Sequence, residues 1–321
     1  MRLGIEPITP EMGHGIHIVE MGHGIHVVEM GRGGEDREEG DVSRHRISHT
    51  DVCDTRLATR IATPFATLEG EGISVSTIEH LASAVAGLGV DGLVIDLQQE
   101  DREADDSQAE FEVPILDGSA APFVDAFLEA GIVDLPPPSP PHPSFMGPRY
   151  GSCRVEDEAG GWLEYVRGKT HRDVCLEEDE VGIRVELDFS SFVPAWSAPF
   201  SGWFVVSRSD PRVYVEEIAP AKTFTFASEL DALKRHGLAK GGSLDNALVF
   251  DQHGHALGTG GGEGIGSDAR SALVAHKALD LIGDLSLLPG GFWSLAPGLL
   301  SGHKIGHSLN SQLAHRLSGM C

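Results

Sequence analysis

Cysteine, positive charge and long apolar runs are all scarce in this sequence, and each scarcity narrows what the chain can be. Its four cysteines, Cys53, Cys153, Cys175 and Cys321, lie far apart, form no CxxC pair, and are too few for a disulfide framework; a reducing compartment is the simplest reading. Only 24 Lys and Arg stand against 49 Asp and Glu, a formal net charge of -25. Such a field repels phosphate backbones and anionic bilayers at long range, so nucleic-acid and peripheral-membrane functions are disfavoured, and an anionic substrate needs a local group of basic residues. No apolar run approaches the ~20 residues that span a bilayer. The N-terminus lacks the basic-then-apolar order of a signal peptide. A soluble protein without stable membrane insertion is expected.

What is present is a chain of 321 residues, 40% of them hydrophobic, enough for two modest cores. A nine-residue segment, EMGHGIHIV (Glu11 to Val19), is repeated at once as EMGHGIHVV (Glu20 to Val28). The period is too short for a solenoid. Its histidines, His14, His17, His23 and His26, raise the question of a metal site, but a Gly-flanked strand, duplicated or extended, is the stronger reading. Gly31 to Arg46 is charged and Gly-rich and reads as a loop or disordered stretch, and the acidic run Gln98 to Glu110 as a solvated insertion. The prolines of LPPPSPPHPSFMGP (Leu135 to Pro148) can sustain neither a helix nor a central strand. They divide the chain into a first domain, 1–134, whose residues 1–46 are divergent and partly disordered, a linker, 135–148, and a second domain, 149–321.

Within Ser76 to Leu88, Ile78, Leu81, Ala82 and Val85 fall at helical spacing, and Gly89 to Leu97 then reads as a turn and a strand. Strand is expected around Gly182 to Phe189, helix near Ala227 to His236, helix again over Ala272 to Leu285 with Val274, Ala278, Leu281, Ile282 and Leu285 on one face, and strand at Gly290 to Leu295. Both halves thus mix sheet and helix, each with a helix-then-strand unit.

Chemistry concentrates on two of these helices. His276, Asp280 and Asp284 recur every four residues and form one polar stripe opposite the apolar face, from which two side chains could grip one metal ion. By spacing alone, a solvated face with ordinary charges is the stronger reading of that stripe. In the first helix Glu79 directly precedes His80. Ser76 and Glu79 fit a capping box, and a lone His80 is more often a satisfied, partly buried histidine than a ligand. Spacing does not establish that the two helices meet.

Six segments together carry a resemblance: STIEHLASAVAGLGVDGLVIDL (Ser76 to Leu97), VPILDGSAAPFV (Val113 to Val124), APAKTFTF (Ala219 to Phe226), GLAKGGSLDNALVF (Gly237 to Phe250), HKALDLIGDL (His276 to Leu285) and GHSLN (Gly306 to Asn310). In order and separation they resemble the UDP-3-O-acyl-N-acetylglucosamine deacetylases, over roughly Val52 to Leu317. The resemblance implies an α+β fold of two similar domains, each a sheet with helices packed on one side, with the active site between them. It implies one zinc ion, with iron(II) as the alternative metal, held by His80, His276 and Asp280 with water in the open position. Glu79 matches the general base, His307 the histidine that stabilises the oxyanion and protonates the leaving amine, and Asp284 the carboxylate that orients that histidine. Thr223 matches a threonine that assists at the oxyanion. Phe224 matches an aromatic that packs on substrate, although a core role for it is equally open. Lys277 matches a lysine that contacts the substrate's phosphates, with Lys240 a weaker candidate. His303, four residues before His307, is the rival for the acid, and motif register favours His307.

The expected activity is zinc-dependent hydrolysis of the 2-acetamido group of UDP-3-O-acyl-N-acetylglucosamine, the committed step of lipid A synthesis, by a monomer whose partner is this small-molecule UDP-sugar lipid precursor. Two alternatives stay open: a non-catalytic sugar-nucleotide-binding homologue, and a zinc amidase for another acylated amino sugar. The expected location is the cytoplasm for a bacterial source, or an organelle for a eukaryotic one.

Overall fold

The structure, a computed structural model, describes residues 24–30, 42–62, 74–90, 92–96, 110–132, 151–168, 170–171, 174–230, 246–257 and 267–319. The first repeat copy, the Pro-rich segment 135–148 and Lys240 lie outside them, as does most of the acidic run before Glu110. Among the described residues, no helix is long and apolar enough to cross a membrane.

The architecture is α+β, with helices packed against several sheets. Two sheets belong to residues 24–112. In the first, β1 (Gly24–Met30) pairs antiparallel with β2 (Val42–Arg46) and parallel with β6 (Gly92–Asp96). The second runs β3 (Val52–Asp54), β4 (Arg60–Ala62), β5 (Ser74–Ser76), β7 (Glu110–Glu112). The loop expected through Arg46 therefore gives way to strand at Val42, where the backbone finds a ladder partner in β1.

Helix α1 (Glu79–Gly87) is buried along its whole length. Its sequence, EHLASAVAG, explains this: small residues alternate with Leu81 and Val85, so neighbours approach from every side, as in helices enclosed by a core. The capping box expected from Ser76 and Glu79 does not form. Ser76 ends β5, Thr77 turns the chain with a left-handed φ of 62°, and the N-cap is Ile78, without a side-chain cap bond. Glu79 instead turns inward and is only 3% exposed. Helix α2 (Ala121–Ala130) packs beside α1.

Residues 151–303 build a five-stranded sheet from β8 (Ser152–Glu156), β9 (Trp162–Arg167), β12 (Glu180–Leu187), β13 (Phe200–Ser207) and β17 (Gly298–His303), in the order β13-β12-β17-β9-β8. A short hairpin, β10 (Thr170–His171) and β11 (Val174–Cys175), stands apart from it. The registers align Cys153, Tyr165, Leu300, Ile183 and Phe204 across one face, and all are buried. Helices α3 (Ser267–Leu285) and α4 (His307–Ser318) pack onto this sheet. Gly202 allows α3 to come close: a Cβ there would lie 2.7 Å from Val274 Cγ1.

A smaller sheet, β14 (Phe224–Phe226), β15 (Leu248–Phe250) and β16 (Ala256–Leu257), lies beside these elements. A helical turn begins at 227, as expected, and the described part ends at 230. Strand was expected at Gly290 to Leu295, but Phe292–Leu295 forms a 3-10 turn. Its short apolar run is buried there, and the strand follows at β17, where Leu299 and Leu300 can join the ladder.

Helices α1 and α3 pack directly against each other. At their crossing Gly283 meets the backbone of Glu79 so closely that a Cβ would lie 2.1 Å from the Glu79 carbonyl oxygen. This contact decides the reading of the polar stripe. His276, Asp280 and Asp284 face protein rather than solvent, at 2%, 1% and 4% exposure.

Candidate active site

The crossing of α1 and α3 brings His80, His276 and Asp280 together. One ligand atom from each lies within 4.8 Å of the others, and all three residues are buried. Asp280 Oδ1 is 3.4 Å from His276 Nε2 and 3.9 Å from His80 Nε2. The i,i+4 spacing on α3 supplies two of the three groups, and the second residue of α1 supplies the third.

The details fit a metal ion. His276 Nδ1 lies 3.0 Å from the Ala221 carbonyl; donating to it leaves the Nε2 lone pair directed at the cluster, the orientation that ligating histidines need. Asp280 Oδ2 accepts from Lys277 Nζ at 2.8 Å, while Oδ1 is buried with no hydrogen-bond partner. An orphaned carboxylate oxygen costs free energy in a protein interior unless a cation takes it up. Burial, aided by the neighbouring His276, holds His80 well below the usual histidine range, at about 3. Burial lowers His276 as well, so both imidazoles stay neutral as ligation requires. For Asp280 burial acts upward, but His276, Lys277, His307 and His80 together outweigh it and keep the carboxylate ionised.

Beside this cluster stand a carboxylate, Glu79, and a histidine, His307. Glu79 Oε2 accepts the Thr59 backbone N–H at 3.0 Å, and Oε1 lies 3.9 Å from His307 Nε2. Burial pushes the Glu79 carboxyl up to about 7, with Asp284 and Asp280 adding to the rise and His307 opposing it. His307 opens α4 and donates from Nδ1 to Asp284 Oδ2 at 2.9 Å. Burial would lower this imidazole, but Asp284 and Asp280 outweigh burial and hold it up to about 10. Asp284 also accepts Asn310 Nδ2 at 2.8 Å on Oδ2 and the Thr59 hydroxyl on Oδ1. A carboxylate near neutrality and a cationic imidazole facing it are tuned for opposite proton transfers.

The other expected residues lie at varied distances from this chemistry. Phe224 is half-buried, with its ring centroid 5.9 Å from that of His276, and Lys277 Nζ sits 5.3 Å above the Phe224 ring. Thr223, just before β14, donates its N–H to the Gly118 carbonyl at 2.6 Å, and its own carbonyl accepts from Leu248. His303 is on β17 and contacts Glu186 at 2.8 Å. Thr59 and Asn310 are the residues that sequence reasoning missed as members of the site. Asn310 lay within a quoted motif, GHSLN, whereas Thr59 sits in an unremarkable stretch and carried no signal in one sequence.

A buried two-histidine, one-carboxylate cluster that could hold a metal ion, with a carboxylate and a histidine facing each other beside it in an α+β fold, suits the chemistry of a metal-assisted hydrolase. The comparisons with known proteins narrow this class. The family model LpxC, UDP-3-O-acyl N-acetylglycosamine deacetylase, matches residues 15–319. A UDP-3-O-acyl-N-acetylglucosamine deacetylase of Chromobacterium violaceum is 36% identical over 267 residues, covering 83% of this chain and 72% of that protein. One of Acidithiobacillus ferrooxidans is 37% identical over 268 residues, with the same coverage. The chain belongs to the LpxC family of deacetylases.

Proposed function

We propose that this protein hydrolyses the 2-acetamido group of UDP-3-O-acyl-N-acetylglucosamine, yielding UDP-3-O-acyl-glucosamine and acetate in lipid A synthesis. The observation that carries the reading is Glu79 Oε1 facing His307 Nε2 across 3.9 Å, beside the His80, His276 and Asp280 cluster. In this reading the three cluster residues hold zinc, with iron(II) the other metal such ligands admit. When bound, the metal supplies Lewis acidity, polarising the amide carbonyl and making water easier to deprotonate.

The remaining work falls to the chain. Glu79 takes a proton from the attacking water through Oε1, its other oxygen being held by Thr59. His307, kept protonated by Asp284, stabilises charge on the carbonyl oxygen and gives its proton to the departing nitrogen, so the amine leaves neutral as the C–N bond breaks. Thr223 is assigned to the same oxygen. Phe224 packs on the sugar, and Lys277 contacts the phosphates while still bound to Asp280, since an ammonium has three donors. Lys240 is the second phosphate contact in this account. The proposed location is the cytoplasm for a bacterial source and an organelle for a eukaryotic one. The reading takes the protein as a monomer divided at 135–148, with His80 from the first half and His276 and Asp280 from the second.

The test is acetate release from UDP-3-O-acyl-N-acetylglucosamine and from its counterpart lacking the 3-O-acyl chain. Turnover of the acylated compound with a large preference over the other supports the reading. Equal turnover of both would assign the site to another acylated amino sugar, and turnover of neither by metal-loaded protein would leave a binding homologue.

A further inference from the structure

Thr59 is 2% exposed and stands in the short link before β4, far in sequence from most of the groups it touches. Three of its polar groups are engaged. Its N–H donates to Glu79 Oε2 at 3.0 Å, its carbonyl accepts from the Ile78 N–H at 3.4 Å, and its hydroxyl donates to Asp284 Oδ1. The same hydroxyl lies 3.3 Å from His307 Nδ1. One residue therefore touches both the carboxylate proposed as base and the carboxylate that holds the proposed acid.

These bonds assign the oxygens. With Oε2 of Glu79 taken by a backbone donor, Oε1 is the oxygen turned to His307 Nε2. With Oδ1 of Asp284 taken by the hydroxyl, Oδ2 is the oxygen left for His307 Nδ1 and Asn310 Nδ2. A carboxylate with both oxygens satisfied cannot rotate without losing hydrogen bonds, and a buried bond lost there leaves a charged acceptor unpaired.

Resting on the proposed deacetylase reading, we infer that Thr59 is a positioning residue for the reaction: its hydroxyl locks Asp284, and through it His307, in line with the Glu79 carboxylate held by its own backbone. The backbone bonds do not use the Thr59 side chain, so that side chain's share can be isolated with residues that keep the N–H. Thr59→Val keeps shape and removes the hydroxyl, Thr59→Ser keeps the hydroxyl, and Thr59→Ala removes both hydroxyl and methyl.

The experiment measures kcat and KM on UDP-3-O-acyl-N-acetylglucosamine, bound metal, melting temperature, and the low-field imidazole proton of the His307–Asp284 bond by NMR. One hydrogen bond to a buried charge corresponds to about a ten- to hundredfold loss. That loss should fall on kcat in Thr59→Val, with KM and metal content at the parent's values, and Thr59→Ser should restore it. The low-field proton should move in Thr59→Val and Thr59→Ala and stay at the parent's position in Thr59→Ser. Parent-like kcat and an unmoved proton in Thr59→Val would overturn the inference. If Thr59→Val does not fold, equal kcat and equal proton position in the Ser and Ala variants would overturn it. The proton reads the geometry without substrate, so an inactive parent would count against the deacetylase reading while the inference is still decided.

Discussion

Each side chain at this site owes its state to burial and to the charges beside it. His80 is buried and His307 partly so, yet His307 is held up to about 10 and His80 down to about 3. Burial lowers both, but at His307 the charges of Asp284 and Asp280 outweigh it, whereas at His80 the neighbouring His276 adds to it. His303 has the same residue type four positions from His307, but it projects to Glu186 from β17 and remains 19% exposed. The account therefore expects His307→Ala to lower kcat on the acylated substrate by roughly 10²–10⁴-fold, the usual contribution of a general acid. His303→Ala should stay within about twofold of the parent in the same assay. The reverse ranking would reassign the acid.

Elements succeed or fail here by how closely they approach. α1 and α3 each carry part of the cluster proposed to hold metal, and they approach most closely where Gly283 lies against the Glu79 backbone. Gly283→Ala puts a methyl where there is no space and, by the usual cost of overpacking, should remove about 1–3 kcal/mol of stability. It should also weaken metal retention on dialysis, because the ligands on the two helices are forced apart. A variant that binds metal as tightly as the parent would show that the crossing does not set the site. A second junction ties the turn at His49–Asp51 to α4. The His49 ring meets His315 edge-on at 4.9 Å, lies 3.3 Å from the Ser318 hydroxyl, and has Asp51 and the Leu287 carbonyl as further neighbours. Burial first, then His315, lowers the His49 pKa from 6.5, against smaller upward effects of Leu287 and Asp51. The folded state thus binds its proton less readily than the unfolded chain. The associated stability is fully present above the unfolded value and is lost as pH falls through 6.5 toward the lowered folded value. The melting temperature should drop more steeply from about pH 7.5 to about pH 5 in the parent than in His49→Gln; parallel curves would contradict this.

At the scale of the whole molecule, what could be read in advance followed from local pattern, and what could not followed from meetings between distant segments. Helical spacing in Ala272 to Leu285 located the end of α3 to the residue, while the helix itself begins earlier, at Ser267. The same spacing read His276, Asp280 and Asp284 as a solvated stripe, because periodicity describes one helix and not the helix that covers it. Ser76 and Glu79 satisfied a local capping pattern, but Glu79 is drawn to Thr59 and the interior instead. The resemblance of six motifs brought the two helices to one site, and the family and its α+β fold bear that resemblance out. Thr59 was invisible because the partners of its hydroxyl are Asp284 and His307, over two hundred residues away, and nothing in its own neighbourhood marks it.

The central claim joins a metal cluster to a base that is not one of its ligands, and one substitution separates the two. Bound metal and deacetylation of UDP-3-O-acyl-N-acetylglucosamine should be measured together for the parent and for Glu79→Ala. The account predicts one metal per chain in both proteins, with activity in the variant reduced by roughly 10²–10⁴-fold. A variant that keeps its metal and its activity would contradict Glu79 as the base, and a parent that retains no metal would contradict the site itself.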